Sequence, residues 1–328
     1  MHERESRVTY VSGLASYLEA FVAEKRALGY RYLASASILS RFDRFLVAHA
    51  VTSPDLSKPL VEAWIRKQPY ESLSTQRDRI YVVRQFCLFL IRRGQAPYLP
   101  HTCLIPKGRS SFVPYVFTHE QIGRLLAAAD QTPPHIRSPH REITYPLIFR
   151  LLYGCGLRVS EALRLQVRDV DLRRGLLTIR EAKFGKDRLV PVAASLAARL
   201  RGYAVAHLQT TPLTAPFFPA PDGGRFHDQT IRDQFRRLLW SCGISYRGRG
   251  HGPRLHDLRH TFAVHRLLRW YRDGVDLGVA LPVLAAYLGH VSLRGTQRYL
   301  QLTAEMHPDL IAALYARHGE VIPHEELP

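Results

Sequence analysis

Several short stretches of this chain carry side chains suited to work on an anion. Gly156-Leu157-Arg158-Val159-Ser160-Glu161 sets an arginine in the first turn of an expected helix. A cation there opposes the helix dipole, whereas a bound anion at the same place favours both the guanidinium and the free backbone amides. Glu161, three residues on, is spaced to orient that guanidinium. His256-Asp257-Leu258-Arg259-His260 places His256 and Arg259 on one helix face, three residues apart. His256 and His260 are also spaced as a pair of metal ligands. Against that, Arg259 lies on nearly the same face and repels a cation, and position 257 is Asp where a zinc-peptidase helix has Glu. An arginine beside a histidine suits a phosphate better. Leu288-Gly289-His290 and Arg298-Tyr299-Leu300 add a histidine and a tyrosine, and Lys183-Phe184-Gly185-Lys186 adds two lysines. Taken singly, Arg158 reads as a surface arginine, Lys183 as a solvated lysine and Tyr299 as a half-buried core residue.

These residues need elements to hold them. From about Val11 to Gln95 the chain reads as helical throughout. Leu14, Leu18, Phe21 and Val22 recur at helical spacing, then Ile38, Leu39, Phe42, Phe45 and Leu46. Leu60, Ala63 and Trp64 follow Pro59, and Ile80, Val83, Phe86, Cys87 and Leu90 mark a fourth segment whose polar side carries Arg77, Arg84 and Arg92. Four helices with short links predict a bundle. Pro97, Pro100, Pro106 and Pro114, with Lys107-Gly108-Arg109 among them, predict an extended basic linker over about 96–116. The expected division is therefore a helical domain over 1–110 and a second domain over 117–328. In the second, Thr118 with Gln121 predicts a capped helix start. Helices are expected through Tyr145–Tyr153 and from Val159 to just before Asp169. Gly175–Arg180 and Arg188–Val192 predict a β-hairpin with a basic tip. The rest, to about Arg317, reads as mostly helical, with breaks at 212–224 and 246–253. The expected fold class is mainly α: a helical bundle, then an α+β domain with a small antiparallel sheet.

Composition narrows the partners. Of 328 residues, 46% are hydrophobic and 23% charged, an ordinary globular balance that excludes disordered and collagen-like chains. Lys and Arg number 46 against 28 Asp and Glu, a formal charge of +18. The excess is spread over both halves of the chain, as neutralising many phosphates requires, so nucleic acid is the leading partner. Cys87, Cys103, Cys155 and Cys242 lie far apart with no CxxC pair, suggesting neither a zinc site nor a disulfide framework. The N-terminal residues show no secretory apolar region, and no stretch approaches 18 apolar residues, so a cytoplasmic, nucleoid-associated protein is expected.

The conjunction of motifs says more than any one of them. Arg158, Lys183, His256 with Arg259, His290 and Tyr299 occur in this order, each in its expected local setting, and together resemble the tyrosine recombinase (phage integrase) family. That family's pattern is an Arg in a GLRxSE-like turn, a Lys in a β-hairpin, His/Lys-x-x-Arg, then His/Trp and a nucleophilic Tyr. Lys183-Phe184-Gly185-Lys186-Asp187-Arg188 matches its K-x-x-K-x-R run and makes Lys183 the catalytic candidate. The similarity covers about Thr118 to Arg317. The stretch from Arg259 to His290, which adds Trp270-Tyr271-Arg272 and Leu281-Pro282, is longer than in compact Xer-type members and looks like transposon-borne, recombinase-in-trio-like integrases.

The resemblance implies an enzyme that cleaves and rejoins DNA strands through a 3′-phosphotyrosyl link. Arg158, Arg259 and His290 stabilise the extra negative charge of the transition state. Tyr299 is the nucleophile, His256 its base, and Lys183 the acid that protonates the leaving 5′ oxygen, with Glu161 in support. No metal or other cofactor is implied. Arg77, Arg84, Lys107, Arg109 and Lys186 are the expected DNA contacts. Double-stranded DNA is the partner, held by a tetramer on two sites or by a hetero-oligomer with related recombinases. The end segment near Glu305–Arg317 would dock on a neighbouring protomer or on its own domain. Alternatives are a type IB topoisomerase, a non-catalytic DNA-binding accessory of the same fold, and a metal-dependent nuclease. The nuclease calls for acidic ligand clusters near His256 or His290, and the sequence shows none.

Overall fold

The computed structural model describes residues 9–30, 32–106, 113–180, 187–246, 252–290 and Tyr299. The chain falls into two compact units, divided between Ser111 and Phe112.

The first unit contains α1 (Ala15–Ala27), α2 (Leu33–Ala48), α3 (Lys58–Ile65) and α4 (Leu73–Arg92). The apolar positions read from the sequence form its core: Leu14, Leu18, Phe21, Leu39, Phe42, Trp64, Val83, Phe86 and Leu90 are all buried. Phe42 meets Trp64 with ring centroids 5.1 Å apart, and Phe21 meets Phe86 at 5.6 Å. Two buried charged groups fix the connections. Asp43 accepts the backbone N–H groups of Val11 (2.8 Å) and Ser12 (3.0 Å), which lead into α1. Arg79 binds Glu71 bidentately at 2.6 and 2.8 Å and donates to the carbonyls of Trp64 and Arg66, closing the α3–α4 turn. Arg84 is half-buried and donates to the Pro100 carbonyl, so part of its donor capacity ties the segment after α4 to the helix. Arg77 is half-buried on the same helix.

The second unit runs α5 (His119–Asp130), α6 (Arg141–Gly154), α7 (Val159–Arg164), β1 (Val170–Asp171), β2 (Leu176–Ile179), β3 (Arg188–Pro191), α8 (Ala194–His207), α9 (Asp228–Ser241), α10 (Asp257–Arg272) and α11 (Leu277–Leu288). The capping box at Thr118 is present: Thr118 Oγ1 accepts the Gln121 amide at 3.1 Å and Gln121 Oε1 accepts the Thr118 amide at 3.0 Å. Helices pack around a core that includes Ile148, Leu152, Leu163, Leu200 and Leu258. The sheet is antiparallel in the order β1-β2-β3, with Leu177 opposite Val190 and Ile179 opposite Arg188. Leu177, Ile179 and Val190 face the core, and the alternation leaves Leu189 exposed.

Two details differ from the sequence expectation. The hairpin gains a third strand, β1, whose two residues are too few to show a period. α7 stops at Arg164 rather than reaching 168. There Gln166 is extended, and Asp169 Oδ2 accepts its amide at 3.0 Å, opening a 3-10 turn over Val167–Asp169. His256 is the N-cap of α10, and its helical φ of −68° and ψ of −20° keep the expected i, i+3 relation to Arg259. The hairpin tip, the linker's Lys107 and Arg109, and the segment near Glu305–Arg317 lie outside the described residues.

Between α6 and α7 the chain turns at Gly156, where φ is +59° and an added Cβ would sit 2.5 Å from Phe262 Cδ1. Only glycine suits both the left-handed backbone and that approach. Gly156→Ala should therefore lower the stability of the second unit by about 3 kcal/mol, measured by denaturant unfolding. A loss below about 0.5 kcal/mol would show that the turn relaxes freely.

Candidate active site

Four element ends converge around one carboxylate. Arg158 caps α7, and Glu161, three residues on, reaches back. Its Oε2 accepts the Arg158 amide at 2.9 Å and its Oε1 the Arg158 Nη1 at 2.6 Å. Arg188, the first residue of β3, grips the same carboxylate with Nη2 at 2.8 Å and Nη1 at 3.1 Å, while its Nε donates to the Tyr287 carbonyl at 2.8 Å. Arg259 comes from the first turn of α10. Its Nη1 donates to the Gly156 carbonyl at 2.9 Å and lies 3.7 Å from Glu161 Oε2, and its Nη2 donates to the Leu288 carbonyl at the end of α11. Three guanidiniums thus share one carboxylate.

Burial decides how these charges behave. Glu161 is 5% exposed and Arg259 1%. Burial raises the Glu161 carboxyl, but the hydrogen bonds and charge of Arg188, the Arg158 amide and the charge of Arg259 outweigh it and bring the pKa down to about 2. Burial and then Arg158 pull Arg259 down to about 10, with Tyr299 and Glu161 acting in the opposite sense, so it stays charged at neutral pH. Arg259 Nε is buried with no hydrogen-bond partner among the described residues. A buried guanidinium with a spare donor suits an incoming anion.

Two histidines border the cluster. His290 follows Gly289, whose left-handed φ of +67° turns the chain off α11 and lets the His290 amide return to the Ala285 carbonyl at 2.9 Å. Burial, then the charges of Arg259, Arg158 and Arg188, bring His290 down to about 4, with Glu161 opposing. The His256 residue presents much of its surface to solvent, yet desolvation on its protein side and the charges of Arg259, Arg158, Arg254 and Arg232 hold its pKa below the usual imidazole range. Both rings are held toward the neutral form.

Tyr299 is 2% exposed beside them. Its Oη lies 3.2 Å from His260 Nδ1, and its ring lies 5.8 Å from that of His290 at an interplanar angle of 24°. Of the residues marked by the sequence, Arg158, Glu161, Arg259, His256, His290 and Tyr299 belong to this neighbourhood. Lys183 and Lys186 lie outside the described residues, as do Lys107 and Arg109. Two further residues join the site. Arg188 ends the K-x-x-K-x-R run, a signal of position without a role. His260 follows Arg259 directly, and its spacing from His256 suggests only a metal pair. Among the described residues no group of three or more His, Cys, Asp or Glu is placed to hold a metal ion, and no helix is long and apolar enough to cross a membrane.

This fold is that of a DNA breaking-and-rejoining enzyme class, the tyrosine recombinases. The phage integrase family matches residues 115–306, and the chain belongs to that family. It is similar to the putative integrase/recombinase y4rB of Sinorhizobium fredii, 34% identical over 304 residues that cover 92% of this chain and 96% of that protein. It is also similar to the tyrosine recombinase XerA of Thermococcus kodakarensis, 35% identical over 195 residues covering 59% of this chain and 60% of that protein. Among solved structures, the Tn1549 transposon integrase in complex with transposon right end DNA shares the fold, with a TM-score of 0.62 and 16% identity over 90% of this chain and 99% of that one.

The depressed Glu161 pKa ties stability to pH. A carboxyl whose folded-state pKa lies below its unfolded value stabilises the fold fully above that unfolded value, about 4.5 here, and its contribution is lost as pH falls through about 2. Glu161→Gln should cost about 3 kcal/mol at neutral pH and flatten the stability profile between pH 4.5 and 2. An acid limb identical to that of the unsubstituted protein would contradict the assignment.

Proposed function

We propose that this protein is a site-specific DNA recombinase or integrase that cleaves one strand at a time with Tyr299 and holds it as a 3′-phosphotyrosyl link. One observation carries the reading. Arg158, Arg259 and Arg188 converge on a single carboxylate, leaving net positive charge, and Tyr299 is buried beside the histidines that border them. A phosphodiester is the anion that matches both an array of forked cations and an adjacent hydroxyl nucleophile.

In the proposed reaction Tyr299 Oη gives its proton to a neighbouring histidine and attacks the scissile phosphorus, and the bond to the 5′ oxygen breaks. Arg158, Arg259, His256 and His290 bind the non-bridging oxygens, where charge builds up. Each well-placed donor in such a site contributes roughly 3 kcal/mol. Lys183 gives the leaving 5′ oxygen its proton. The covalent link conserves the bond energy, so a 5′-hydroxyl from another strand attacks it without ATP. Glu161 and Arg188 keep the guanidiniums in place.

Double-stranded DNA is the proposed partner, contacted by Arg77, Arg84, Lys107, Arg109 and Lys186. The helical first unit is the proposed core-binding domain, and strand exchange proceeds in a tetramer on two sites or with related recombinases. A mobile element is the proposed source. The naming of the Sinorhizobium relative as an integrase/recombinase supports this, as does the extended run from Arg259 to His290, whose Trp270–Arg272 and Leu281-Pro282 lie within α10 and α11. The proposed location is the cytoplasm, at the nucleoid.

The nucleophile is tested with a nicked suicide substrate carrying the cognate site. A denaturation-resistant protein–DNA adduct should form and should vanish in Tyr299→Phe, with DNA binding retained. An adduct of undiminished yield in that variant would overturn the assignment.

A further inference from the structure

We infer that His260 is the base that takes the proton from Tyr299, with the buried Asp257 beside its ring. The inference rests on the reading of Tyr299 as nucleophile and adds a residue to it.

A tyrosine hydroxyl has a free pKa of about 10, so at neutral pH only about one molecule in a thousand is ionised. Tyr299 is 2% exposed, which leaves bulk water little access to its proton. A protein group must receive it, and the first requirement on that group is hydrogen-bond reach. His260 Nδ1 stands 3.2 Å from Tyr299 Oη. For Nδ1 to accept, the ring proton must sit on Nε2, and Nε2 lies 4.0 Å from Asp257 Oδ1. Asp257 is fully buried and fixed. Its Oδ2 accepts the Arg254 amide at 2.7 Å and its Oδ1 lies 3.4 Å from Arg254 Nη2. At 4.0 Å the Asp257 carboxyl acts on the ring through charge, while the hydroxyl stands within hydrogen-bond reach of Nδ1.

The charged surroundings separate His260 from His256, the residue to which the sequence assigns this role. A base ends the step as a cation. His256 faces Arg259, Arg158, Arg254 and Arg232, all of which oppose that outcome. Around His260 stand Asp257, with Arg254 on the same Oδ1, the edge-on His256 ring and Tyr299, whose ring also meets that of His290. With the ionised carboxyl of Asp257 shared with the single guanidinium of Arg254, these surroundings oppose an imidazolium less than the four arginines around His256 do. His256 then serves the phosphate, which suits a neutral ring amid arginines.

The step balances. The Oη–H proton passes to His260 Nδ1, Oη bonds to phosphorus, and the bond to the 5′ oxygen breaks with that oxygen protonated from the Lys183 side. On rejoining, the incoming 5′-hydroxyl gives up its proton on that side and the His260 imidazolium returns one to Tyr299.

The test is the single-turnover rate of adduct formation by the full chain on the suicide substrate. His260→Ala should slow it by roughly 10²–10⁴-fold with unchanged DNA affinity, and added imidazole should restore part of the rate. His260→Gln, able to hydrogen-bond the hydroxyl but not to keep its proton, should be as slow as His260→Ala. Both variants should show a rate that climbs with pH toward tyrosine ionisation, where the unsubstituted protein levels off earlier. A near-normal rate in His260→Gln would show that His260 only positions Tyr299 and would overturn the proposal, as would a slow His260→Ala with neither imidazole rescue nor an altered pH profile. Persistence of the adduct in Tyr299→Phe is a separate failure, of the nucleophile and not of the base.

Discussion

Everything in the site hangs on one buried carboxylate facing three guanidiniums. Two like charges about 4 Å apart near a protein surface repel by about 4 kcal/mol, so Arg158, Arg188 and Arg259 do not gather unaided. Glu161 holds all three at 2.6 to 3.7 Å. It offsets one charge and leaves the others unbalanced. The arrangement is therefore incomplete in a defined way: it is short of negative charge at the place where Arg259 Nε has no partner among the described residues. A buried charge left unpaired costs stability, and an enzyme that acts on a phosphodiester recovers that cost when its substrate arrives.

The fold meets this constraint with element ends rather than interiors. Arg158 stands at the start of α7, Arg188 at the start of β3, Arg259 in the first turn of α10, and His290 just past the end of α11. At those points the backbone has carbonyls not taken by helix or sheet, and the carbonyls of Gly156, Tyr287 and Leu288 are used to hold guanidiniums. Two glycines make the approach close. Gly156 lets the chain turn into α7 against Phe262, and at Gly289 an added Cβ would come within 3.1 Å of Arg188 Nη1. The Thr261 hydroxyl, one turn beyond Asp257, accepts the Phe117 amide at 3.1 Å and so ties the entry of this unit to α10.

The sequence makes local features legible and long-range ones only in part. The four helices of the first unit follow from apolar spacing, and the start of α5 follows from Thr118 and Gln121, because each depends on neighbours within a turn or two. The motif arginines and Tyr299 are visible through their order and settings. Arg188 and His260 are different. Their roles arise when β3 meets α7 across 27 residues and when Tyr299 returns to α10 across 39, and no local period records either meeting. His256 illustrates the reverse case. Its i, i+3 relation to Arg259 is legible in the sequence and kept at the start of α10, but Arg158 and Arg232 reach it from distant segments.

The central claim is that Arg158 and Arg259 are gathered to neutralise the scissile phosphate, and its most direct measurement changes the charge of that phosphate. Adduct formation is compared on a suicide substrate with the natural phosphodiester and on one whose scissile group is a neutral methylphosphonate. Arg158→Ala and Arg259→Ala should each be severely slowed on the phosphodiester and recover most of the loss on the neutral group, which has no charge to offset. An equal loss on both substrates would mean that these arginines hold the fold rather than the phosphate, and would contradict the account.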